Sequence, residues 1–371
     1  MPARQDDDVR FMALALRLAE RGLGQTWPNP AVGCVIVRDG RIVGRGWTQP
    51  GGRPHAEAEA LDRAGAEALG AIAYISLEPC AHYGRTPPCT MALLHAGVRR
   101  VVIAARDPDP RVDGKGLAQL RQAGVEVSEG VLRSEAEALN EGFFLRIRKG
   151  RPLVTLKLAS SLDGRIATRT GASRWITGAE ARARAHLLRA THDAIMVGSG
   201  TALADDPELT CRLPGLEGRS PVRVVLDGRL RLPASARLVR SAPEVPLWLI
   251  TSEATPAGRV RALQAKGAKV ERVAADDRGR LDLHQALALL ARRGISRLLV
   301  EGGAELAAGL LRARLIDRLV WFQAPLVIGG DGLAAIAGFG VETLADARRL
   351  LAGPETPLAP DRLRTYIVSD G

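Results

Sequence analysis

His55-Ala56-Glu57, then Glu78-Pro79-Cys80, then Pro87-Pro88-Cys89: this stretch decides how the first part of the chain is read. One imidazole and two thiolates can hold a zinc ion and leave its fourth position open, and an open position separates a catalytic zinc from a structural one. Glu57 puts a carboxylate beside that position, where it can carry a proton. The competing reading makes His55 a helix-start residue and the cysteines small buried hydrophobes, as free cysteines often are. The joint placement favours zinc, because three ligands fall at three element ends with an acid next to the first. His82 and His95 are rival ligands. His82 sits in the loop between the cysteines, within reach of a substrate, and His95 lies on a helix as a structural residue.

The surrounding pattern places these residues. Ala56, Ala58, Ala60, Leu61 and Ala64 have helical spacing, so His55 and Glu57 open a helix. Ile72 to Leu77 reads as a strand that ends just before Cys80, and Cys89 precedes a helix through Met91–Leu94. Both cysteines therefore lie near helix N-termini, where the dipole favours thiolate. Upstream, Asp6 to Asp8 are placed to cap a helix over Val9–Ala19 that Gly22 ends. Trp27-Pro28-Asn29-Pro30 is a rigid turn, and Asn29 is either a turn residue or a pyrimidine contact. Ala31–Val37 and Arg41–Trp47 are strands joined by an Asp39-Gly40 hairpin turn. Val101–Ala105 is a strand; Leu117–Ala123 and Ser134–Leu145 are helices. This alternation predicts an α/β layer with a largely buried sheet. The basic stretch 146–151, with Gly150 and Pro152 as breakers, marks a junction between a domain over 1–147 and another over 151–371.

Beyond the junction, strands are expected at Leu153–Ala159, Asp193–Gly198, Val222–Leu226, Pro246–Ile250, Arg297–Val300, Leu319–Phe322 and Arg364–Val368. Helices are expected at Ala179–Arg189, Pro256–Lys266, Leu283–Arg293 and Glu305–Leu311. Glu301-Gly302-Gly303 stands between a strand and a helix, so backbone N–H groups there suit a phosphate or pyrophosphate. Two glycines at a strand end also make an ordinary tight turn. The G-x-G-x-x-G fingerprint is missing, which disfavours the usual dinucleotide fold.

Length and composition set the bounds. The 371 residues are comfortable for two domains, and 46% apolar residues with both charge signs mixed in are ordinary for a globular protein. Aromatics make up only 4%, so the cores are mainly Leu, Val, Ile and Ala. The formal net charge is +11, with arginine far outnumbering lysine. The basic residues are scattered without a long block, which favours small anionic substrates or a plain composition bias over nucleic acid. Four cysteines are too few for a disulfide scaffold and fit a reducing cytoplasm. The polar, acidic N-terminus is wrong for a signal peptide, and no apolar run reaches the ~18 residues of a membrane helix.

H-x-E followed by P-C-x-x-C is the signature of zinc nucleobase deaminases. Here eight residues separate Cys80 from Cys89, a longer gap. Pro28-Asn29-Pro30-Ala31-Val32-Gly33, His55-Ala56-Glu57 and the run from Ser76 to Cys89, with Gly84-Arg85-Thr86-Pro87-Pro88-Cys89, resemble the deaminase half of the bifunctional riboflavin-biosynthesis deaminase/reductases. That family has the long gap, which sets it apart from cytidine and tRNA adenosine deaminases. Lys157-Leu158-Ala159-Ser160-Ser161-Leu162-Asp163-Gly164-Arg165, Ser173-Arg174-Trp175-Ile176-Thr177 and Leu203-Ala204-Asp205-Asp206-Pro207 resemble its reductase half.

The resemblance implies a cytidine-deaminase-like three-layer domain followed by a dihydrofolate-reductase-like domain, with zinc and NADPH as cofactors. It implies hydrolytic deamination of 2,5-diamino-6-ribosylamino-4(3H)-pyrimidinone 5′-phosphate, then reduction of the ribosyl group of the resulting aminouracil to ribityl. His55, Cys80 and Cys89 would hold zinc, and Glu57 would be the acid–base group. Ala159, Trp175, Thr201, Asp205 and the segment Gly303, Ala304, Glu305, Leu306, Ala307, Ala308, Gly309 would contact NADPH. Ser173, Arg189, Leu209, Arg212 and Glu301 would contact the phosphorylated substrate, with Lys157 also facing it. Gly228 stands where the family often has Ser. The implied partners are small phosphorylated pyrimidines, with no nucleic acid or membrane; a homo-oligomer is left open. Two rivals remain at this level: a nucleic-acid deaminase with an accessory domain, which the scattered charge opposes, and a zinc-stabilised scaffold, which Glu57 opposes.

Overall fold

The computed structural model describes residues 2–84, 87–276 and 280–368. The chain divides into two compact units, Met1–Arg151 and Pro152–Gly371.

In the first unit, helix α1 (Pro2–Glu20) precedes the hairpin β1 (Gly33–Arg38) and β2 (Arg41–Trp47). Then follow α2 (Ala56–Ala64), β3 (Ile72–Leu77), α3 (Cys89–His95), β4 (Arg100–Ala105), α4 (Lys115–Gln122), β5 (Glu126–Glu129), α5 (Arg133–Leu139) and α6 (Glu141–Lys149). The sheet order is β2-β1-β3-β4-β5. β1 runs antiparallel to β2 and β3, while β3, β4 and β5 are parallel.

Three glycines define the layers. A Cβ on Gly33 would run into the Ala15 carbonyl of α1, and one on Gly44 or Gly46 into the Ala60 or Ala56 carbonyl of α2. Gly44 and Gly46 pair with Ile36 and Cys34, which alternate with Gly33 along β1. Successive strand residues point to opposite faces, so α1 and α2 cover opposite faces of one sheet. The closeness of both helices is why small residues stand there.

Two expectations are corrected here. Asp6–Asp8 do not cap α1, which starts earlier; Asp8 is buried and takes two hydrogen bonds from Arg100, at 2.9 and 2.7 Å, and one from Tyr74 at 2.9 Å. The helix expected over Ser134–Leu145 is two helices broken at Asn140, whose amide bonds both backbone groups of Ala31. The stretch 146–151 is helical as far as Lys149.

The second unit holds β6 (Leu153–Ser160), β7 (Arg165–Ala167), α7 (Ala179–Ala190), β8 (Ala194–Gly198), α8 (Ser199–Asp205), β9 (Val222–Leu226), α9 (Arg237–Arg240) and β10 (Leu247–Ser252). These are followed by α10 (Ala257–Gln264), β11 (Lys269–Val273), α11 (Leu283–Arg292), β12 (Arg297–Glu301) and α12 (Ala304–Arg312). The chain closes with β13 (Arg318–Gln323), β14 (Leu333–Ala334), β15 (Leu350–Leu358) and β16 (Asp361–Val368). Nine strands form one sheet, ordered β11-β10-β9-β8-β12-β6-β13-β16-β15. It is parallel from β11 to β13 and antiparallel beyond, through β16 and β15. The central strands are buried along their length, as in β9, which is why they read as continuous apolar runs. Among the described residues no helix is long and apolar enough to cross a membrane.

Candidate active sites

In the first unit, β2 delivers the chain to His55, the residue before α2; β3 ends just ahead of Cys80, and α3 begins at Cys89. His55 Nδ1 lies 3.3 Å from Cys89 Sγ and 3.7 Å from Cys80 Sγ. All three ligand atoms fall within 4.8 Å of one another. Tetrahedral zinc with ordinary Zn–N and Zn–S bonds sets an N···S edge of about 3.5 Å, so the observed pair brackets it.

The proton arrangement also suits a cation. The Cys89 thiol donates to Cys80 and, against the cost of burial and with help from His55, brings the Cys80 thiol down to about 4. Cys89 itself is pushed well up, first by that bond to Cys80 and then by burial. A metal must displace the shared proton, since cysteine ligates as thiolate. Arg85 and Thr86, between the two cysteines, lie outside the described residues.

Glu57 is 3% exposed. Burial pushes its carboxyl up, while the neighbouring His55 charge pulls it down. A carboxyl raised in this way suits proton transfer near neutral pH. A cavity of about 200 Å³ opens here, lined by Asn29, His55, Glu57, Cys80, His82 and Asp107 among others. The Asn29 amide donates to Gly52 O at 2.8 Å and lies 3.5 Å from His55 Nε2. Among the described residues, His82 keeps a buried Nδ1 without a hydrogen-bond partner. His95 is exposed and bonds the Met91 carbonyl, so it stands apart from the cluster.

Two acids escaped the sequence reading. Glu78 accepts hydrogen bonds from the backbone N–H groups of Gly114, Gly116 and Leu117 at 3.0, 3.1 and 3.4 Å, at the start of α4. Asp107 is pushed up to about 7 by burial. Their signals were faint: an acid directly before Pro79-Cys80, and two acids flanked by prolines in Asp107-Pro108-Asp109-Pro110.

In the second unit, Thr201 of α8 faces the turn before α12. A Cβ on Gly303 would lie 3.3 Å from Thr201 Oγ1, and the backbone of Gly302 and Gly303 is left-handed, with φ of 104° and 74°. Both demands are met by glycine. A cavity of about 1010 Å³ adjoins this turn, at the C-terminal ends of β8, β9 and β10, where open α/β sheets hold ligands. Its size, and the glycine cradle at the start of α12, fit a dinucleotide.

From the predicted segment, Glu305, Leu306 and Gly309 line the cavity. Ala307 and Ala308 do not: they are 0% and 1% exposed, with side chains in the core. Leu209 is likewise buried, leaving only its backbone to contact a ligand. Trp175 is 69% exposed, and Arg182 lies 4.6 Å over its ring. Ser173 is half-buried just before it, and Ala159 lies on β6 and Asp205 at the exposed end of α8. Lys157, Arg189 and Glu301 form one cluster. Glu301 accepts from Arg189 at 2.7 and 2.9 Å and lies 3.9 Å from the Lys157 amine. Arg189 also donates to Thr210 O at 2.9 Å. Most of its fork is therefore used inside the protein rather than held out for a phosphate. Arg212 is exposed and pairs with Glu208 at 3.1 Å.

Residues 5–105 match the cytidine and deoxycytidylate deaminase zinc-binding region, and residues 152–354 match the RibD C-terminal domain. The riboflavin biosynthesis protein RibD of Bacillus amyloliquefaciens is 43% identical over 362 residues, covering 97% of this chain and 96% of that one. This chain belongs to the bifunctional riboflavin-biosynthesis deaminase/reductase family. The Escherichia coli (strain K12) RibD protein is 44% identical over 92% of this chain and 94% of its own. The solved structure of Acinetobacter baumannii RibD, form 1, superposes with a TM-score of 0.89 at 37% identity, covering 99% of this chain and 100% of that one. A Thermotoga maritima deaminase/reductase superposes at 0.86 and 35% identity, with the same coverage.

As a member of this deaminase/reductase family, the chain is an enzyme of riboflavin biosynthesis with a hydrolytic and a reductive activity. Its first unit is a cytidine-deaminase-like layer and its second the family's reductase domain. Zinc serves the first activity and NADPH the second.

Proposed function

We propose that the chain deaminates 2,5-diamino-6-ribosylamino-4(3H)-pyrimidinone 5′-phosphate in the part before the junction, residues 1–147. It then reduces the ribosyl group of 5-amino-6-(5-phosphoribosylamino)uracil in the part over 151–371. The Thermotoga maritima relative is described by these two activities. The observation that carries the first step is the buried Glu57 beside the His55–Cys80–Cys89 cluster.

His55, Cys80 and Cys89 are the zinc ligands. Zinc held there would make a water nucleophilic near neutral pH. Glu57 is placed to take a proton at its carboxylate from the attacking water and return it to the departing amine, so that water would enter and ammonia leave. Asn29 and His82 face the pyrimidine from the cavity wall, and the small cavity suits a single base rather than a polymer. In the second unit NADPH would supply a hydride to the sugar C1′. Thr201 and the Gly303–Gly309 backbone would hold it, together with Ala159, Trp175 and Asp205. Lys157 and Glu301 face the ribosyl group, and Ser173, Leu209 and Arg212 complete the substrate's surroundings. Arg189 fixes Glu301 and spends its remaining N–H groups on the phosphorylated end.

The partners are small phosphorylated pyrimidines, without nucleic acid or membrane. The compartment is the cytoplasm, because Cys80 and Cys89 must stay reduced to ligate. The test is purified protein with the diaminopyrimidine phosphate, followed by mass. Without NADPH the product should exchange NH for O; with NADPH it should also gain two hydrogens. Substrate left unchanged by zinc-loaded protein refutes the reading.

A further inference from the structure

Between α8 and β9 the chain runs through Asp206-Pro207-Glu208-Leu209-Thr210-Cys211-Arg212 with no helix or strand of its own. Such a segment has no ladder to satisfy its backbone, so its N–H and C=O groups need partners from elsewhere. Side chains supply them. The Glu208 carbonyl accepts from Arg223 at 3.4 Å, and the Thr210 carbonyl from Arg189 at 2.9 Å. The Cys211 N–H donates to Ser220 Oγ at 3.1 Å. The Arg212 N–H donates to His186 Nδ1 at 3.2 Å.

Resting on the reading that Arg212 contacts the phosphorylated substrate of the reductase, we infer that His186 is the positioning residue that holds Arg212 in place, its imidazole serving as the acceptor for the Arg212 backbone N–H.

His186 stands on α7 three residues before Arg189, so the two side chains share a face of the helix. α7 thereby holds the segment at Thr210, Cys211 and Arg212 in turn. Arg189 takes the Thr210 carbonyl, the Cys211 thiol donates to the His186 carbonyl at 3.5 Å, and the His186 ring takes the Arg212 N–H. The Arg212 guanidinium is exposed, and its partners among the described residues belong to its own segment, Glu208 at 3.1 Å and Thr210 Oγ1 at 3.3 Å. The direction in which this guanidinium leaves the protein is therefore set by the backbone beneath it, and His186 fixes that backbone.

The role makes a demand on the ring. A backbone N–H can only donate, so Nδ1 must be unprotonated and Nε2 must carry the proton. The surroundings meet the demand. Burial first, and then the charges of Arg189 and Arg212, hold the imidazole below its ordinary value, against the Glu301 charge and the Thr210 carbonyl. Removing the acceptor frees the end of the segment, and the guanidinium then spreads over more orientations. Substrate binding weakens, while hydride transfer in the bound complex keeps its own groups.

Reduction of the already deaminated aminouracil by the full-length protein tests this. His186→Leu and His186→Ala both remove the acceptor. Each should raise the KM for the aminouracil about three- to tenfold, the range of one neutral hydrogen bond, with kcat and the KM for NADPH nearly unchanged. His186→Asn sets a carbonyl oxygen close to where Nδ1 stood and should recover most of the loss. Because His186 acts through Arg212, adding His186→Leu to Arg212→Ala should raise KM no further than Arg212→Ala alone, a non-additivity that a generally loosened fold does not give. Unfolding temperatures establish that the variants are folded. A wild-type KM in folded His186→Leu or His186→Ala overturns the assignment. So does an asparagine variant as impaired as the leucine one, or a loss repeated in full on top of Arg212→Ala. If Arg212→Ala itself leaves KM unaltered, the reading of Arg212 as a substrate contact falls and this inference with it. A raised KM in Arg212→Ala beside an unaltered one in His186→Leu removes only the role of His186.

Discussion

Glu301 grips Arg189 through two parallel hydrogen bonds, Oε1 to Nε at 2.7 Å and Oε2 to Nη2 at 2.9 Å. Both side chains are nearly buried, at 10% and 13% exposure. Burial alone would push the carboxyl up. The charges of Arg189 and Lys157 outweigh it and hold Glu301 at about 2.

A folded-state value below the unfolded one of about 4.3 means that this stabilisation is complete above pH ~4.5 and is lost as pH falls toward 2. Its size is on the order of 3 kcal/mol. Denaturant unfolding of wild type and Glu301→Gln should therefore differ most near neutral pH and converge on acidification. A difference that stays constant down to pH 3 would show that the pair contributes nothing through ionisation.

The pair also shows what the sequence could and could not reveal. Arg189 and Glu301 stand 112 positions apart; each could be read as a substrate contact, but nothing local tells that they bind each other. Local signals were legible. Asp39-Gly40 announced its hairpin, and both residues have the positive φ that such a turn requires. The cluster of His55, Cys80 and Cys89, which could hold a metal ion, was legible because each stands at the end of a strongly patterned element. Three of the edge strands were not: β5, β11 and β15 carry exposed polar residues and lack a buried run, whereas the edge strand β2 was betrayed by its hairpin turn. Asp8 reads as a helix cap because its tertiary partners, Arg100 and Tyr74, lie far along the chain.

Zinc content follows from the ligand cluster. Freshly purified protein should carry about one zinc per chain by elemental analysis. Cys80→Ser and Cys89→Ser should each lose most of it, because hydroxyl oxygen is a poor substitute for thiolate. Metal retained in full by both variants would place the ion elsewhere.

Glu78 should prove structurally indispensable although it stands outside the metal-ligand set. Its carboxylate serves N–H groups at the start of α4 and that of Asp107 at 3.4 Å. Glu78→Ala strands those donors, and bonds to a charged group are worth about 1.5–3 kcal/mol each. The variant should melt several degrees lower, and deamination should fall because the loop carrying Asp107 lines the cavity. An unaltered melting temperature would argue that water replaces the carboxylate without loss.

The two activities should be separable. The metal cluster and Glu57 lie in Met1–Arg151, and the dinucleotide cavity, Glu301 and Arg212 lie in Pro152–Gly371. Glu57→Gln keeps the ligands, so zinc should stay while deamination drops by about 10² or more, the scale of a lost acid–base group. The same variant should reduce the already deaminated aminouracil at the normal rate. Arg212→Ala removes an exposed guanidinium now paired with Glu208. If that guanidinium turns to the substrate phosphate, the reductase KM should rise about tenfold, matching one charge-assisted bond, with deamination untouched. Mixed together, the two variants should convert diaminopyrimidine phosphate to the ribityl product, since the intermediate can diffuse from one protein to the other. A folded single variant that loses both reactions would mean that the activities share one site, and the assignment of one reaction to each unit would fall.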